Sequence, residues 1–346
     1  MSAKIFEVSP DGVTWALMPG NDASVDLEGE DLDTTVFGSD FSSSITGIIN
    51  HSFSGNAMFR ETAGYNARIR KTGDPVAFTD EATTANGDWY EISDRTKSLF
   101  DHTTEVIVED DATVVDDADI EEIDYLHGRV KFVDTYTPTE PVTISGDYLP
   151  LNTFGCFNSI DLTQSSETIE TGCFETVGAN GGYQTYKPTL RDVSIDAEGF
   201  YQTSSDFASQ LQNRERFIIE IDIEGDGENL ARGYFRIGSD GYSGGPGGDE
   251  TESVSFSLSV PEGIKPFSWR FGANTKAPQG LIWTIEAWEN KTNLHYRYFP
   301  EGRDNKGFEA ESVVTDCSIS TAVDALAEAS VSGQGTGAFT ILNDTP

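Results

Sequence analysis

Asp222, Glu224, Asp226 and Gly227 in DIEGDGENLARG (222–233) fall at positions one, three, five and six of a twelve-residue calcium loop. Position twelve is Gly233, where such a loop needs a bidentate glutamate. The segment also lies between two β-rich arms, so its spacing predicts a hairpin turn. His51, His102, His127 and His295 are far apart, and none has a His or Cys at metal-ligand spacing. They read as scattered structural or surface histidines. GYSGGPGGDE (241–250) is glycine-rich, but acidic residues follow it and a phosphate would be repelled there. GQGTG (333–337) follows a strand with no dinucleotide-type helix after it. No HExxH stretch appears. These residue types point away from an enzyme, and no catalytic, cofactor or metal site is expected.

Composition sets the next bounds. The chain has 346 residues, 37% of them hydrophobic and 11% aromatic, enough to build cores and to suggest two or three domains. Asp plus Glu number 59 against 22 Lys plus Arg, a formal charge of −37. Such a surface cannot hold nucleic acid by neutralising phosphates. The acidic run EDDATVVDDADIEEID (109–124) is interrupted by Val and Ile and reads as solvated strand edges and turns, not a cation site. Three cysteines, Cys156, Cys173 and Cys317, are widely spaced and argue against a disulfide framework. MSAKIFEVSPDG carries no apolar leader, and no run approaches membrane-spanning length. Synthesis and assembly in a cytoplasm are expected.

The elements that would position any site are mostly strands. KIFEVSPDGVTWAL predicts a hairpin around Ser-Pro-Asp-Gly. ETAGYNARIRKTGDP (61–75) is the one clearly basic patch, with Arg68, Arg70 and Lys71, and reads as a connector. Residues 76–150 alternate five-residue strands with Asp/Gly/Pro turns. TSSDFASQLQNRE predicts a short helix capped by Ser204 or Ser205, with Phe207, Ala208 and Leu211 on one face. PQGLIWTIEAWENK predicts a second, with Leu281, Ile285 and Trp288 on its apolar face. Hairpins are predicted to turn at 225–227, 241–248 and 300–302, and a last one spans CSISTAVDALAEASVSGQGTG.

DTTVFG (33–38) and IETGCFE (169–175) share an acid-Thr-x-x-Phe spacing. RDVSIDAEGFYQ (191–202) then parallels NHSFSGNAMFRE (50–61), with four residues inserted between motif and strand. One order follows both: loop, strand, helix, hairpin, hairpin. The first copy stops early, and its missing parts sit at 275–346. This predicts a discontinuous domain, 1–62 plus 273–346, interrupted by an inserted domain, 63–272, whose strand-rich N-terminal part is 63–150.

VAFTDEATT, WYEISDRTKSLFD, IDYLHGRVKF and VTISGDYLP resemble the opening part of siphophage major tail (tail tube) proteins. FETVGANGGYQTYKPTLRDVSIDAEGFY and GYFRIGSD…ETESVSFSLSVP look like the tube domain that follows, and VVTDCSISTAVDALAEASVSGQGTG is similar to the closing C-terminal hairpin. The resemblance covers most of 65–340 and is a pattern of strands and turns. It implies a mainly β chain of two antiparallel β-sandwich or half-barrel tube domains, each with one short flanking helix. In that family six domains join side by side into a ring around a channel, and a long loop reaches the neighbouring ring. Here that loop corresponds to 31–50 and 168–191, with Asp33, Thr34, Phe37, Phe41, Glu170, Thr171, Phe174, Tyr183 and Tyr186 as inter-ring contacts. The departure from the family is the duplication, which implies either six domains from three chains or a six-chain tube with one copy decorating its outside; both copies keep the loop, the helix and the hairpins, which favours three chains. The implied partners are further copies of the chain, tape-measure and tail terminator proteins, and genomic DNA passing through an acidic lumen without tight binding; no membrane is implied. The implied location is the virion tail. A secreted β-sandwich adhesin or fibre is the alternative, and the missing leader argues against it.

Overall fold

The protein, seen in a computed structural model, is described over residues 4–33, 44–63, 68–139, 141–155, 157–173, 177, 179, 182–200, 207–244, 250–303 and 305–342. It is mainly β, as the sequence leads one to expect: antiparallel sheets that include a half-barrel, with the helices Phe207–Asn213 and Gln279–Asn290 among the described residues. The chain divides into two compact units, Met1–Asn66 with Asn158–Ala197 and Asn274–Pro346, and Ala67–Phe157 with Glu198–Ala273.

In the first unit, Ile5–Ser9 lies between Ala16–Leu17 and Leu294–Phe299. Leu294–Phe299 pairs with Gly307–Ala322, which pairs in turn with Leu326–Leu342. That strand pairs with Ser44–Ala63, and Ser44–Ala63 with Ala23–Asp33. Alternation explains the core: Phe53, Ala57 and Phe59 are buried at every second position of Ser44–Ala63, where the pleat turns them to one face. Phe53 meets Tyr296 at 4.9 Å and Phe6 at 5.4 Å between ring centroids. The helix Gln279–Asn290 buries Leu281, Ile285 and Trp288, the expected face. Its Gly280 is a close approach: a Cβ there would meet Met18 Sδ at 2.9 Å and the Leu17 carbonyl at 3.0 Å.

In the second unit, Arg68–Thr72 lies between Leu151–Thr153 and Phe217–Asp222. Phe217–Asp222 pairs with Asn229–Ser243, which pairs with Phe267–Phe271 early in its length and Thr251–Leu258 later. The helix Phe207–Asn213 buries Phe207 and Gln210. Ala208, expected on that face, is exposed. The proposed caps Ser204 and Ser205 lie outside the described residues. A separate seven-stranded sheet runs Ile120–Asp124, Arg129–Phe132, Trp89–Ile92, Val76–Asn86, Val142–Tyr148, Ile107–Asp110, Thr113–Val114. Its own core includes Phe78, Ile92, Phe100, Val130 and Ile144.

The order of elements repeats, and so does the register. The eight pairs from Phe235↔Leu258 to Ser243↔Thr251 recur as Ser312↔Gly335 to Ser320↔Glu328, an offset of 77 residues (312 − 235 = 77). The β-bulge at Ile237/Ser239 recurs at Val314/Asp316. The pairs Phe217↔Phe235 to Ile221↔Ala231 recur as Leu294↔Ser312 to Tyr298↔Phe308. Left-handed residues just after the helices, Arg214 (φ 53°) and Lys291 (φ 56°), are 77 apart, as are the turn glycines Gly225 (φ 74°) and Gly302 (φ 90°). Bulges and left-handed residues are costly and position-specific, so their coincidence marks one unit built twice.

Two further sequence expectations change. The basic stretch read as a connector contains a strand: Arg68–Thr72 pairs with Phe217–Asp222 as Ile5–Ser9 pairs with Leu294–Phe299. Its Arg70 forms an ion pair with buried Glu220, so the charge serves the sheet. The parallel drawn between 191–202 and 50–61 is out of phase by one residue. It sets Val193 and Ile195, both buried, against Ser52 and Ser54, whose buried neighbours are His51, Phe53 and Gly55. A period of two makes a one-residue slip swap the faces. Residues 158–197 fall in the first compact unit, where Phe157–Glu170 hydrogen-bonds to Gly307–Ala322.

The first copy has only residues 10–15 between Ile5–Ser9 and its partner Ala16–Leu17. The second copy has the whole seven-stranded sheet at that point, between Arg68–Thr72 and Leu151–Thr153. Gly73 N–H donates to the Pro150 carbonyl at 2.7 Å and closes its root.

Candidate assembly interface

Segments that the sequence flagged for chemistry have structural work instead. Asp222 is buried at the end of its strand, and its carboxylate accepts the Gly225 and Gly227 N–H groups at 2.8 and 3.1 Å, holding the hairpin turn. Burial is the main cause that raises its pKa. His127 is fully buried, and its Nε2 lies 3.0 Å from the Ser268 carbonyl. Desolvation holds it well below the usual histidine range, with Arg232 next in effect, so it is neutral. His51 sits between the Tyr296 hydroxyl at 3.0 Å and the Gly337 carbonyl at 3.1 Å, and burial lowers its pKa too. In the acidic run, Asp110 and Asp124 are buried anchors rather than solvated edges. Asp110 accepts from the Tyr136 hydroxyl at 2.9 Å and Asp124 from Arg129 Nε at 2.8 Å.

The feature with the clearest functional meaning is a strand junction within the first unit. The seven pairs from Ser159↔Ala322 to Ser165↔Asp316 join Phe157–Glu170 of the second repeat to Gly307–Ala322 of the first. Ile160, Leu162 and Gln164 from one strand and Cys317, Ile319 and Thr321 from the other are buried there. Asp316 is raised by burial, and burial with Asp316 beside it pushes the Cys317 thiol up to about 12. That thiol is an inert packing group.

The second repeat's loop is anchored next to this junction. The Ile49 N–H donates to the Gly182 carbonyl at 2.9 Å, and the Gln184 N–H to the Ile49 carbonyl at 3.1 Å. The Gly337 N–H reaches the Gln184 carbonyl at 3.0 Å. Tyr186 donates its hydroxyl to Asn50 Oδ1 at 3.0 Å, and its N–H to Thr336 Oγ1 at 3.1 Å. Tyr183 stands edge-on to His51 at 6.1 Å. Thr171 pairs with Thr185 through its N–H and hydroxyl, at 2.9 and 3.1 Å. So Thr171, Tyr183 and Tyr186 are brought together with their own chain, at the root of the loop, while Glu170 ends its strand exposed. Asp33 ends the strand Ala23–Asp33. Thr34, Phe37, Phe41 and Phe174 lie outside the described residues.

Sequence reasoning read Gly307–Ala322 as parts of two hairpins but missed the strand Phe157–Glu170 and its pairing with it. The available signal was the alternation in FNSIDLTQS, whose buried set meets that of DCSISTA, but alternation alone does not name a partner strand. Among the described residues, no group of three or more His, Cys, Asp or Glu side chains could hold a metal ion, and no helix is long and apolar enough to cross a membrane.

No protein-family model and no curated protein matches the chain. Among solved structures, one similar chain comes from the tail of an empty gene transfer agent particle refined with helical C6 symmetry. It is 18% identical over 36% of this chain and 87% of that one, with a TM-score of 0.29. Another comes from the virion of a native gene transfer agent particle, 18% identical over 36% and 89%, with a TM-score of 0.28.

Proposed function

We propose that the chain is the structural tail tube protein of a long-tailed bacteriophage, polymerising into stacked rings that conduct DNA. Its two repeats, 1–62 plus 273–346 and 63–272, are tube domains, and three chains supply the six domains of a ring. One observation carries this reading: the two repeats are joined edge to edge by strand pairing, the contact that a ring of such domains must make at every junction. Exposed sheet edges are a hazard in a monomer and become an assembly rule in a closed ring.

Charge fits the conduit. Three chains carry 3 × −37 = −111 formal charges. A channel lined by carboxylates repels phosphate and offers no counterion release, so DNA slides past without sticking. Self-repulsion between subunits is the cost, and salt or divalent cations screen it. Partners in this reading are the chain itself, a tape-measure protein, a terminator and the passing DNA. The chain is placed in the virion tail after assembly in the host cytoplasm, and it does no catalysis. Loops 31–50 and 168–191 reach the neighbouring ring.

Electron microscopy of the purified chain, concentrated with and without magnesium, tests it. Hollow tubes of uniform width are expected, with three-fold rotational averages. A chain that forms no tube, and that is absent from virions by mass spectrometry, overturns it.

A further inference from the structure

The internal junction has only one of its two possible counterparts within the chain. Phe157–Glu170 of the second repeat pairs with the far half of Gly307–Ala322 of the first. By the 77-residue offset, Asp316–Ser320 corresponds to Ser239–Ser243. By the acid-Thr-x-x-Phe spacing, Asp33 corresponds to Glu170, so Ala23–Glu28 corresponds to Ile160–Ser165. Among the described residues, Ser239–Ser243 pairs on one side only, with Thr251–Leu258, and Ala23–Asp33 pairs only with Ser44–Ala63. Both unmatched edges are therefore twins of edges that are matched.

Exposure marks the same two edges. Leu27 is 52% exposed, and its twin Gln164 is 0% exposed inside the junction. Tyr242 is 53% exposed, and its twin Ile319 is 1% exposed. Large side chains stand in water on these edges where their twins on the matched edges are buried.

We propose that the Ala23–Asp33 edge of one chain pairs antiparallel with Ser239–Ser243 of a second copy, in the register of the internal junction. Carrying that register across sets Ser24 opposite Ser243, Val25 opposite Tyr242, Asp26 opposite Gly241 and Glu28 opposite Ser239. Each chain then offers one edge and accepts another, a head-to-tail contact that closes into a ring or runs on as a filament. Asp26, Glu28 and Glu30 lie on the donated edge, and charges there keep a lone sheet edge from pairing indiscriminately. The facing stretch Ser239–Ser243 carries one acid, Asp240, and no base, so the contact strengthens as salt rises. This inference rests on the tube reading for its biological setting, but not for its geometry.

Disulfide trapping tests the register. In a full-length Cys156→Ser, Cys173→Ser background, Ser24→Cys with Ser243→Cys places two isosteric thiols on facing strands. Directly opposed Cα atoms lie about 4.5–5.5 Å apart, within disulfide reach. The control combines Ser24→Cys with Ser239→Cys, displaced by about 13 Å along the strand. Oxidation is expected to convert the first pair to covalent oligomers at least about tenfold more than the control or either single cysteine, with a yield that rises with salt. Equal trapping in the control, or none in the first pair, overturns the proposal. Hydrogen exchange on the unaltered chain is the second measurement. Amides of 24–28 and 239–243 slow as concentration rises if the edges pair, and unchanged exchange in both as oligomers form overturns it. Tubes without trapping leave the conduit reading standing and remove this inference; trapping without tubes does the reverse.

Discussion

The two repeats place the same three facing positions on the same three strands and fill them with opposite charges. In the second repeat these are Arg70, Glu220 and Arg232; in the first they are Glu7, Arg297 and Glu309. Arg232 and Glu220 meet at 2.6 Å, both buried, and Arg297 meets Glu309 at 2.5 Å in a half-exposed setting. A ladder that keeps its register with every sign reversed is not held by those charges. Backbone pairing and the alternation of buried residues hold it. What the charges do depends on what covers them. In the second repeat the segment 73–150 that carries the seven-stranded sheet reaches the pair, and Arg232 donates to its Ser98 and Leu126 carbonyls at 2.8 and 2.7 Å. The buried ion pair thus becomes the fastening for the insert.

The largest effect to expect is at that fastening. Arg232→Ala leaves buried Glu220 and two carbonyls short of a donor and is expected to cost about 3–5 kcal/mol of unfolding free energy. Urea titration measures it, and a loss below 1 kcal/mol would break the contrast between the repeats. Gly280→Ala comes next. It improves intrinsic helix propensity, yet its Cβ would press on Met18 and Leu17, so a net loss of about 1–3 kcal/mol is expected in thermal melts. A gain would show the first repeat's helix to be loosely seated. His127 gives a pH signature confined to the insert's contact. Its pKa is lowered in the fold, so below about 6.5 the unfolded chain takes up a proton that the native chain refuses. Its stabilising contribution is full above that pH and is lost as pH falls, by up to about 1.4 kcal/mol per unit. Subtracting the stability profile of His127→Gln should isolate that slope; parallel profiles would refute it. The smallest effect is Glu309→Ala, the half-exposed twin of the Arg232 change, at about 0.2–1 kcal/mol.

Much of this fold was legible in the sequence because alternation and turn residues are local signals. The hairpins ending in 307–342 and the helix at Leu281, Ile285 and Trp288 follow from side-chain period alone. The repeat showed as a short echo and a repeated order of elements but not in its register, since its twin positions share burial and backbone shape but seldom residue type: Phe235 answers to Ser312, and Glu220 to Arg297. Arg68–Thr72 was hidden for a related reason. Basic residues in a short stretch suggest solvent, while here Arg70 faces a buried glutamate from a strand 150 residues away (220 − 70 = 150). The junction was illegible because partner choice between distant strands is a property of the folded sheet, not of either segment.

The six residues Pro10–Trp15 close the first repeat at the very point where the second carries an additional sheet. Asp11 ties this loop to itself, accepting the Thr14 and Val13 N–H groups, each at 2.8 Å, and those bonds draw its carboxyl down to about 2. Val13 at its tip faces water. One repeat has already shown what the other can bear: an entire folded body threaded between two neighbouring strands without disturbing their pairing. The loop is thus a natural graft point, where a foreign domain with adjacent termini would be carried once per chain at regular intervals along any polymer the chain builds.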